Sequence, residues 1–248
     1  MKTDHFPEKA YKNLDFLNSE KARTIRLLSE YMEPTFRLDK NKINNTILFL
    51  GSARAFPDDK NSPLYRYYWE AEELAFLLAQ WAIQLKEKGK NFVVCTGGGP
   101  GIMEAANRGA SRAGGWTIGM NISLPWEQDP NPYITKELNF IFHYFFMRKF
   151  FLINRAQAAL AFPGGFGTLD ELFEILTLVQ TRKIKKEKLC ILLYGKEYWE
   201  RVVNFEALKD YVSIDPEDLD LFKIVDSPEE AFEHLRSNLT GHLKSGLR

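Results

Sequence analysis

Ala158-Ala159-Leu160-Ala161-Phe162-Pro163-Gly164-Gly165-Phe166-Gly167-Thr168-Leu169-Asp170-Glu171 is the stretch on which the reading of this 248-residue chain turns. Ala158 to Phe162 is a short apolar run of the kind that forms a strand buried on both faces. Pro163 and three glycines break it. From Leu169 to Lys183 a helix is expected, with Leu169, Leu172, Phe173, Leu176 and Val179 recurring as a core-facing stripe. A buried strand, a glycine turn and a helix form part of a βαβ unit and predict a parallel sheet.

The same alternation extends in both directions. Strands are expected at Thr46 to Leu50, Asn91 to Cys95, Trp116 to Ile122, Asn139 to Phe142, Leu189 to Tyr194 and Phe222 to Val225. Helices are expected near residues 64–88, 101–113, 145–156 and 197–210, and a last one begins at Ser227-Pro228 with a serine cap and an N1 proline. Residues 9–32 read as a charged helix that Pro34 should end. Pro125 to Pro132 is a proline-rich excursion. With no linker or internal repeat, the expectation is one Rossmann-like α/β domain over residues 1–248. It would be a doubly wound parallel sheet with helices on both faces, and residues 1–40 would form an N-terminal helical extension.

Composition narrows the partners. Hydrophobic residues make up 45% of the chain, enough for a full core, and 33 Lys and Arg balance 33 Asp and Glu. No net field draws in nucleic acid or a membrane surface, so an anion must be held locally. Cys95 and Cys190 both sit in apolar strand runs and read as buried free thiols of a reducing compartment. The charged start, Met1 to His5, and the lack of a run of ~18 apolar residues place the chain in the cytoplasm. The four histidines (His5, His143, His234, His242) lack metal-ligand spacing, so neither a metal nor another cofactor is expected.

In an open parallel sheet, ligands bind beyond the carboxyl ends of the strands. Three such ends carry small residues: Gly51-Ser52-Ala53-Arg54, Thr96-Gly97-Gly98-Gly99-Pro100-Gly101 and Pro163 to Thr168. At the last, an anion would meet free backbone N–H groups, a helix start and a hydroxyl. The dipole contributes about 0.3 to 2 kcal/mol, and each hydrogen bond to a charged group roughly 1.5 to 3 kcal/mol, so the backbone donors dominate. The alternative is that the glycines only permit tight turns and close packing. Ile102 removes the third glycine of a dinucleotide fingerprint, and no Gly-Lys-Ser/Thr follows either glycine run. The ligand that remains is small and carries a single phosphate.

Two readings of Glu171 stay open. Thr168-x-x-Glu171 fits a capping box, yet a carboxylate near a helix start can also lie beside whatever the loop holds. Asp170 and Glu174 read as solvated. In Phe145-Phe146-Met147-Arg148-Lys149-Phe150-Phe151, Arg148 and Lys149 either reach solvent or present a cation to an apolar pocket.

These residues together resemble the LOG-like phosphoribohydrolases, whose members often carry a lysine decarboxylase label. The resemblance rests on Gly97-Gly98-Gly99-Pro100-Gly101-Ile102-Met103-Glu104-Ala105-Ala106-Asn107, on Met147-Arg148-Lys149 and on Pro163 to Glu171, which fits Pro-Gly-Gly-x-Gly-Thr-x-x-Glu. Gly51 to Arg54 and Asn121 to Gln128 are similar as well, and the form is closer to the larger bacterial branch. The resemblance implies hydrolysis of the N-glycosidic bond of a nucleoside 5′-monophosphate, such as AMP or an N6-modified AMP, to free base and ribose 5-phosphate. It implies that Gly165, Phe166, Gly167 and Thr168 hold the phosphate and that Arg148 and Glu171 are the catalytic pair. Gly98, Gly99, Ser52, Arg54, Glu104, Asn107, Met147 and Lys149 would help bind the nucleotide. A non-catalytic carrier of a nucleotide or pterin phosphate is the alternative. A pyridoxal-phosphate decarboxylase finds no marked Schiff-base lysine. The aromatic segment and the N-terminal helix supply apolar surface for a homodimer or larger assembly.

Overall fold

A computed structural model describes residues 7–86, 91–125, 129–185 and 189–245. The strands are β1 (Thr46–Leu50), β2 (Val93–Thr96), β3 (Thr117–Ile122), β4 (Asn139–Phe142), β5 (Ala156–Ala161), β6 (Cys190–Tyr194) and β7 (Lys223–Val225). The α-helices are α1 (Leu14–Asn18), α2 (Arg23–Lys40), α3 (Tyr65–Lys86), α4 (Ile102–Arg112), α5 (Phe145–Ile153), α6 (Phe166–Gln180), α7 (Lys196–Val202), α8 (Phe205–Asp210) and α9 (Pro228–Ser245).

All seven strands are parallel, in the order β4-β3-β2-β1-β5-β6-β7. The chain winds outward from β1 to β4, returns to the other side of β1, and winds outward again. The central strand shows why both faces must be covered. Its side chains alternate, so Ile47 and Phe49 enter one core with residues of α3, α4 and α9, while Leu48 and Leu50 enter the other with residues of α2, α5, α6 and α7. All five β1 residues are buried. The expected Rossmann-like α/β architecture is the one found.

Some element boundaries differ from expectation. Residues 9–32 do not form one helix: α1 and two 3-10 turns precede α2, and α2 runs through Pro34. A proline inside a helix costs about 3 kcal/mol. Here the turns beyond it are held from outside. Leu38 is buried in the core, and the Arg37 guanidinium lies 3.9 Å from the Phe140 ring centre and donates to the Asn139 carbonyl at 3.0 Å. The helix expected at 197–210 is two: α7 ends at Val202, and Asn204 caps α8 by accepting from the Ala207 N–H at 3.0 Å. The helix expected to end at Ala156 stops at Ile153, and Ala156 already belongs to β5. Most consequential, α6 begins at Phe166, three residues before Leu169.

Both cysteines are free, as expected, but only Cys95 is fully buried; Cys190, at the start of β6, is half-buried. Burial pushes both thiols up to about 12. Among the described residues, no helix is long and apolar enough to cross a membrane.

Candidate functional site

The strand order reverses at β1, so the topological switch point lies between β1 and β5. The loops leaving these two strands are stitched together. The Phe162 N–H donates to the Leu50 carbonyl at 2.9 Å and the Ser52 N–H to the Pro163 carbonyl at 3.0 Å. Gly164 is required here, since a Cβ would land on the Thr168 hydroxyl. Beyond the seam opens a cleft of about 760 Å³, walled by the loops after β1 and β5, the start of α6, and residues of α5 and α7.

The start of α6 faces this cleft. Gly165 is its N-cap residue, no side chain caps it, and the first helical bond runs from the Leu169 N–H to the Gly165 carbonyl at 3.1 Å. The N–H groups of Phe166, Gly167 and Thr168 therefore precede the helical ladder. Gly165 and Gly167 have open space where a side chain would sit, and Phe166 is 94% exposed. By contrast, the first N–H of α4, from Ile102, already donates to the Ser52 carbonyl at 3.0 Å.

The early start of α6 removes the capping reading of Glu171. Thr168 is the third residue of the helix rather than its cap, so no capping box forms and Glu171 falls in the second turn. Its carboxylate meets Arg148 instead, Nη1 to Oε1 at 3.2 Å, with side chains 12% and 11% exposed. Arg148 reaches inward from α5. Its Nε donates to the Met120 carbonyl at 2.9 Å, and its guanidinium packs over Gly97, where a Cβ would collide with it. Burial raises the Glu171 carboxyl above the ordinary carboxylate range, Arg148 pulls it partly back, and Asp170 adds to the rise. The result is a buried, singly paired carboxylate and guanidinium lining the same cleft as the open helix start.

Ser52, Arg54, Arg148, Gly165, Phe166, Gly167, Thr168 and Glu171 thus come together around the cleft. Six others anticipated as binding residues lie outside its lining. Asn107 is fully buried; its side chain accepts from Thr96 Oγ1 at 2.7 Å and Asn131 Nδ2 at 2.9 Å and donates to the Ile118 carbonyl. Gly98 and Gly99 present their carbonyls to Asn131, and Gly98 adopts a φ of 79°. Glu104 accepts from the Tyr68 hydroxyl at 2.9 Å. Lys149 is held by Asp170 at 3.1 Å and Glu174 at 2.8 Å, so neither acid is left alone with solvent, and Met147 packs against the core. Of Asn121 to Gln128, Asn121, Ile122 and Leu124 line the cleft, and residues 126–128 lie outside the described residues.

Three contributors escaped the sequence reading. Tyr198 of α7 lines the cleft and donates its hydroxyl to the Gly164 carbonyl. The signal was present: Gly195 at the end of β6 is another strand-end glycine, followed by an aromatic pair. Asn131 returns from the proline-rich excursion to bind the Gly98 and Gly99 carbonyls. Glu30 of α2 accepts from the His143 and Tyr144 N–H groups at 2.7 and 3.2 Å, at the head of α5, whose own N-cap residue, Tyr144, makes no side-chain capping bond. Nothing local marks Glu30 in the sequence.

A family model described as "Possible lysine decarboxylase", that of the LOG-like proteins, matches residues 103–235, more than half of the chain. The chain belongs to the LOG-like family. The match takes in Arg148 and Glu171, whereas the loops at Gly51 to Arg54 and Gly97 to Gly101 precede it. Among solved structures, the LOG-like chain resembles TM1055, a structural-genomics target, at 21% identity and a TM-score of 0.50, over 78% of this chain and 99% of that one. It also resembles the molybdenum cofactor carrier protein of Chlamydomonas reinhardtii, at 20% identity and a TM-score of 0.51, over 79% of this chain and 99% of the other. At these identities the likeness is one of fold. No curated protein matches the sequence.

Proposed function

We propose that this LOG-like chain is a nucleoside 5′-monophosphate phosphoribohydrolase that releases free base and ribose 5-phosphate. The observation that carries the reading is the buried Arg148–Glu171 pair, 3.2 Å apart, in the cleft onto which the uncapped start of α6 opens. The N–H groups at Phe166, Gly167 and Thr168 would take the 5′-phosphate, and this remote binding would align the ribose. Glu171 would stabilise the oxocarbenium-like ribose as the bond to the base lengthens and orient the attacking water. Arg148 would hold the sugar phosphate and keep Glu171 from standing as an uncompensated buried charge.

A decarboxylase reading fits the residues poorly. Among the described residues lining the cleft there is no lysine to form a Schiff base with pyridoxal phosphate, and the Lys149 ammonium is held by Asp170 and Glu174. The test is incubation with a panel of nucleoside 5′-monophosphates, AMP and N6-modified AMP included, followed by chromatography for free base. Base and ribose 5-phosphate in equal amounts are expected. Tight retention of a monophosphate without base release would favour a carrier instead.

The protein is further proposed to work in the cytoplasm as a homodimer. On α2, Leu28, Met32 and Phe36 fall on one stripe and are 56%, 64% and 65% exposed, and on the adjoining α5 Phe145 and Phe146 are exposed as well. Apolar patches of this kind mark interaction surfaces. Phe36→Glu should convert a dimer to a monomer in sedimentation velocity without changing the circular dichroism; a wild-type chain that sediments as a monomer would refute the assignment.

A further inference from the structure

The geometry points to Tyr198 as a positioning residue: its hydroxyl latches the Gly164–Gly165 peptide in the one orientation that leaves the loop able to hold an anion. This inference rests on the reading of the α6 start as the phosphate site.

The physical basis is the planarity of the peptide bond. In a trans peptide the C=O and the following N–H point to opposite sides of one plane. Tyr198 Oη donates to the Gly164 carbonyl. With that oxygen fixed toward α7, the Gly165 N–H is fixed on the opposite side. A flip of this single peptide would exchange them and turn a carbonyl oxygen toward the place where the amides of Phe166, Gly167 and Thr168 gather, an oxygen that repels an anion. Glycine on both sides removes the usual steric bar to such a flip, and no atom lies within 4 Å of where a Gly165 side chain would stand. The loop's own covalent structure therefore does not choose the orientation; a hydrogen bond from outside does.

The latch is rigidly mounted. Tyr198 packs edge-on against Trp199, with ring centres 5.1 Å apart at 88°. Trp199 is fully buried, and its indole N–H donates to the Ala161 carbonyl at 3.1 Å and the Tyr194 carbonyl at 3.0 Å, tying α7 to the ends of β5 and β6. Tyr198 is thus anchored to the strand that delivers the glycine loop, and its ring is also part of the cleft wall.

The test is Tyr198→Phe, which keeps the ring and its packing and removes only the donor. Binding of AMP, adenosine and inorganic phosphate is measured by calorimetry on the full chain, with kcat and KM for AMP alongside. AMP and phosphate should bind about tenfold more weakly, the worth of one hydrogen bond, while adenosine binding and the melting temperature hold. KM should rise with kcat unchanged. Equal affinity for AMP and phosphate in both proteins overturns the latch, as does a loss shared by adenosine and accompanied by a lower melting temperature, which marks a merely structural bond. If wild type releases no base but the phosphate-selective loss is seen, the hydrolase reading fails and the latch stands. A wild-type chain that binds neither AMP nor phosphate overturns both.

Discussion

Glu171→Gln should lower the proposed turnover of nucleoside monophosphate by about 10²-fold to 10⁴-fold, the range for a positioned acid or base, and leave the fold and the affinity for AMP close to wild type. The glutamine keeps the volume of the side chain and one oxygen facing Arg148, which retains its bond to the Met120 carbonyl. The amides at the start of α6 are untouched, so the loss falls on kcat. In the proposed mechanism the working form is the carboxylate, and burial raises its pKa. As pH falls, Glu171 accepts its proton earlier than an exposed glutamate does, so the acid limb of kcat/KM lies above the ordinary carboxylate range. That limb should vanish from the residual activity of the variant. Wild-type turnover in Glu171→Gln removes the residue from the mechanism.

The second large effect is on stability. Arg148→Met keeps the apolar stem in place and takes away the charge, leaving Glu171 buried without its partner. Removing one member of a buried pair costs about 3 to 5 kcal/mol, and at the mouth of a cleft the lower figure is expected. The cost depends on pH with a definite sign. Without Arg148 the folded-state pKa of Glu171 rises further, while the unfolded chain keeps the ordinary value. Between the two, the folded state binds more protons, so stability is greatest below the unfolded pKa and declines as pH rises through the folded one. Urea melts of wild type and variant should differ by about 3 kcal/mol at pH 8 and by much less at pH 5. A difference independent of pH would show that the lost stability comes from elsewhere. On the proposed mechanism, base release should be abolished at either pH.

The sheet was legible because a strand buried on both faces leaves a short, nearly uninterrupted apolar run. Thr46 to Leu50, buried throughout, is such a run; Asn139 to Phe142, also located to the residue, is an edge strand on which Ile141 is exposed. Boundaries set by distant contacts were not. Phe166 and Gly167 read locally as turn, yet they form the first turn of α6, and those residues decide that Glu171 pairs with Arg148 rather than capping its own helix. Pro34 is a stop signal in isolation; only the anchoring of Arg37 on Phe140 and of Leu38 in the core carries the helix past it.

Within the site, the residues that carry the proposed chemistry stood in recognisable motifs, but the motifs also contain residues with inward duties. Asn107 stands in the same glycine-rich motif as Gly97, which lines the cleft, yet it is spent on Thr96, Asn131 and the Ile118 carbonyl. That role depends on an asparagine 24 residues further along the chain, a pairing that no local pattern announces.

The two amides that Glu30 holds at the head of α5 have a bearing on ancestry. The helix that delivers Arg148 is begun by a residue the chain encodes before its first strand, so inheritance of the glycine motifs does not by itself guarantee inheritance of the angle at which the arginine enters. A relative without α2 leaves those amides to water or to another acceptor. Where Glu30 has no counterpart, two family members with identical signatures need not share a reaction geometry.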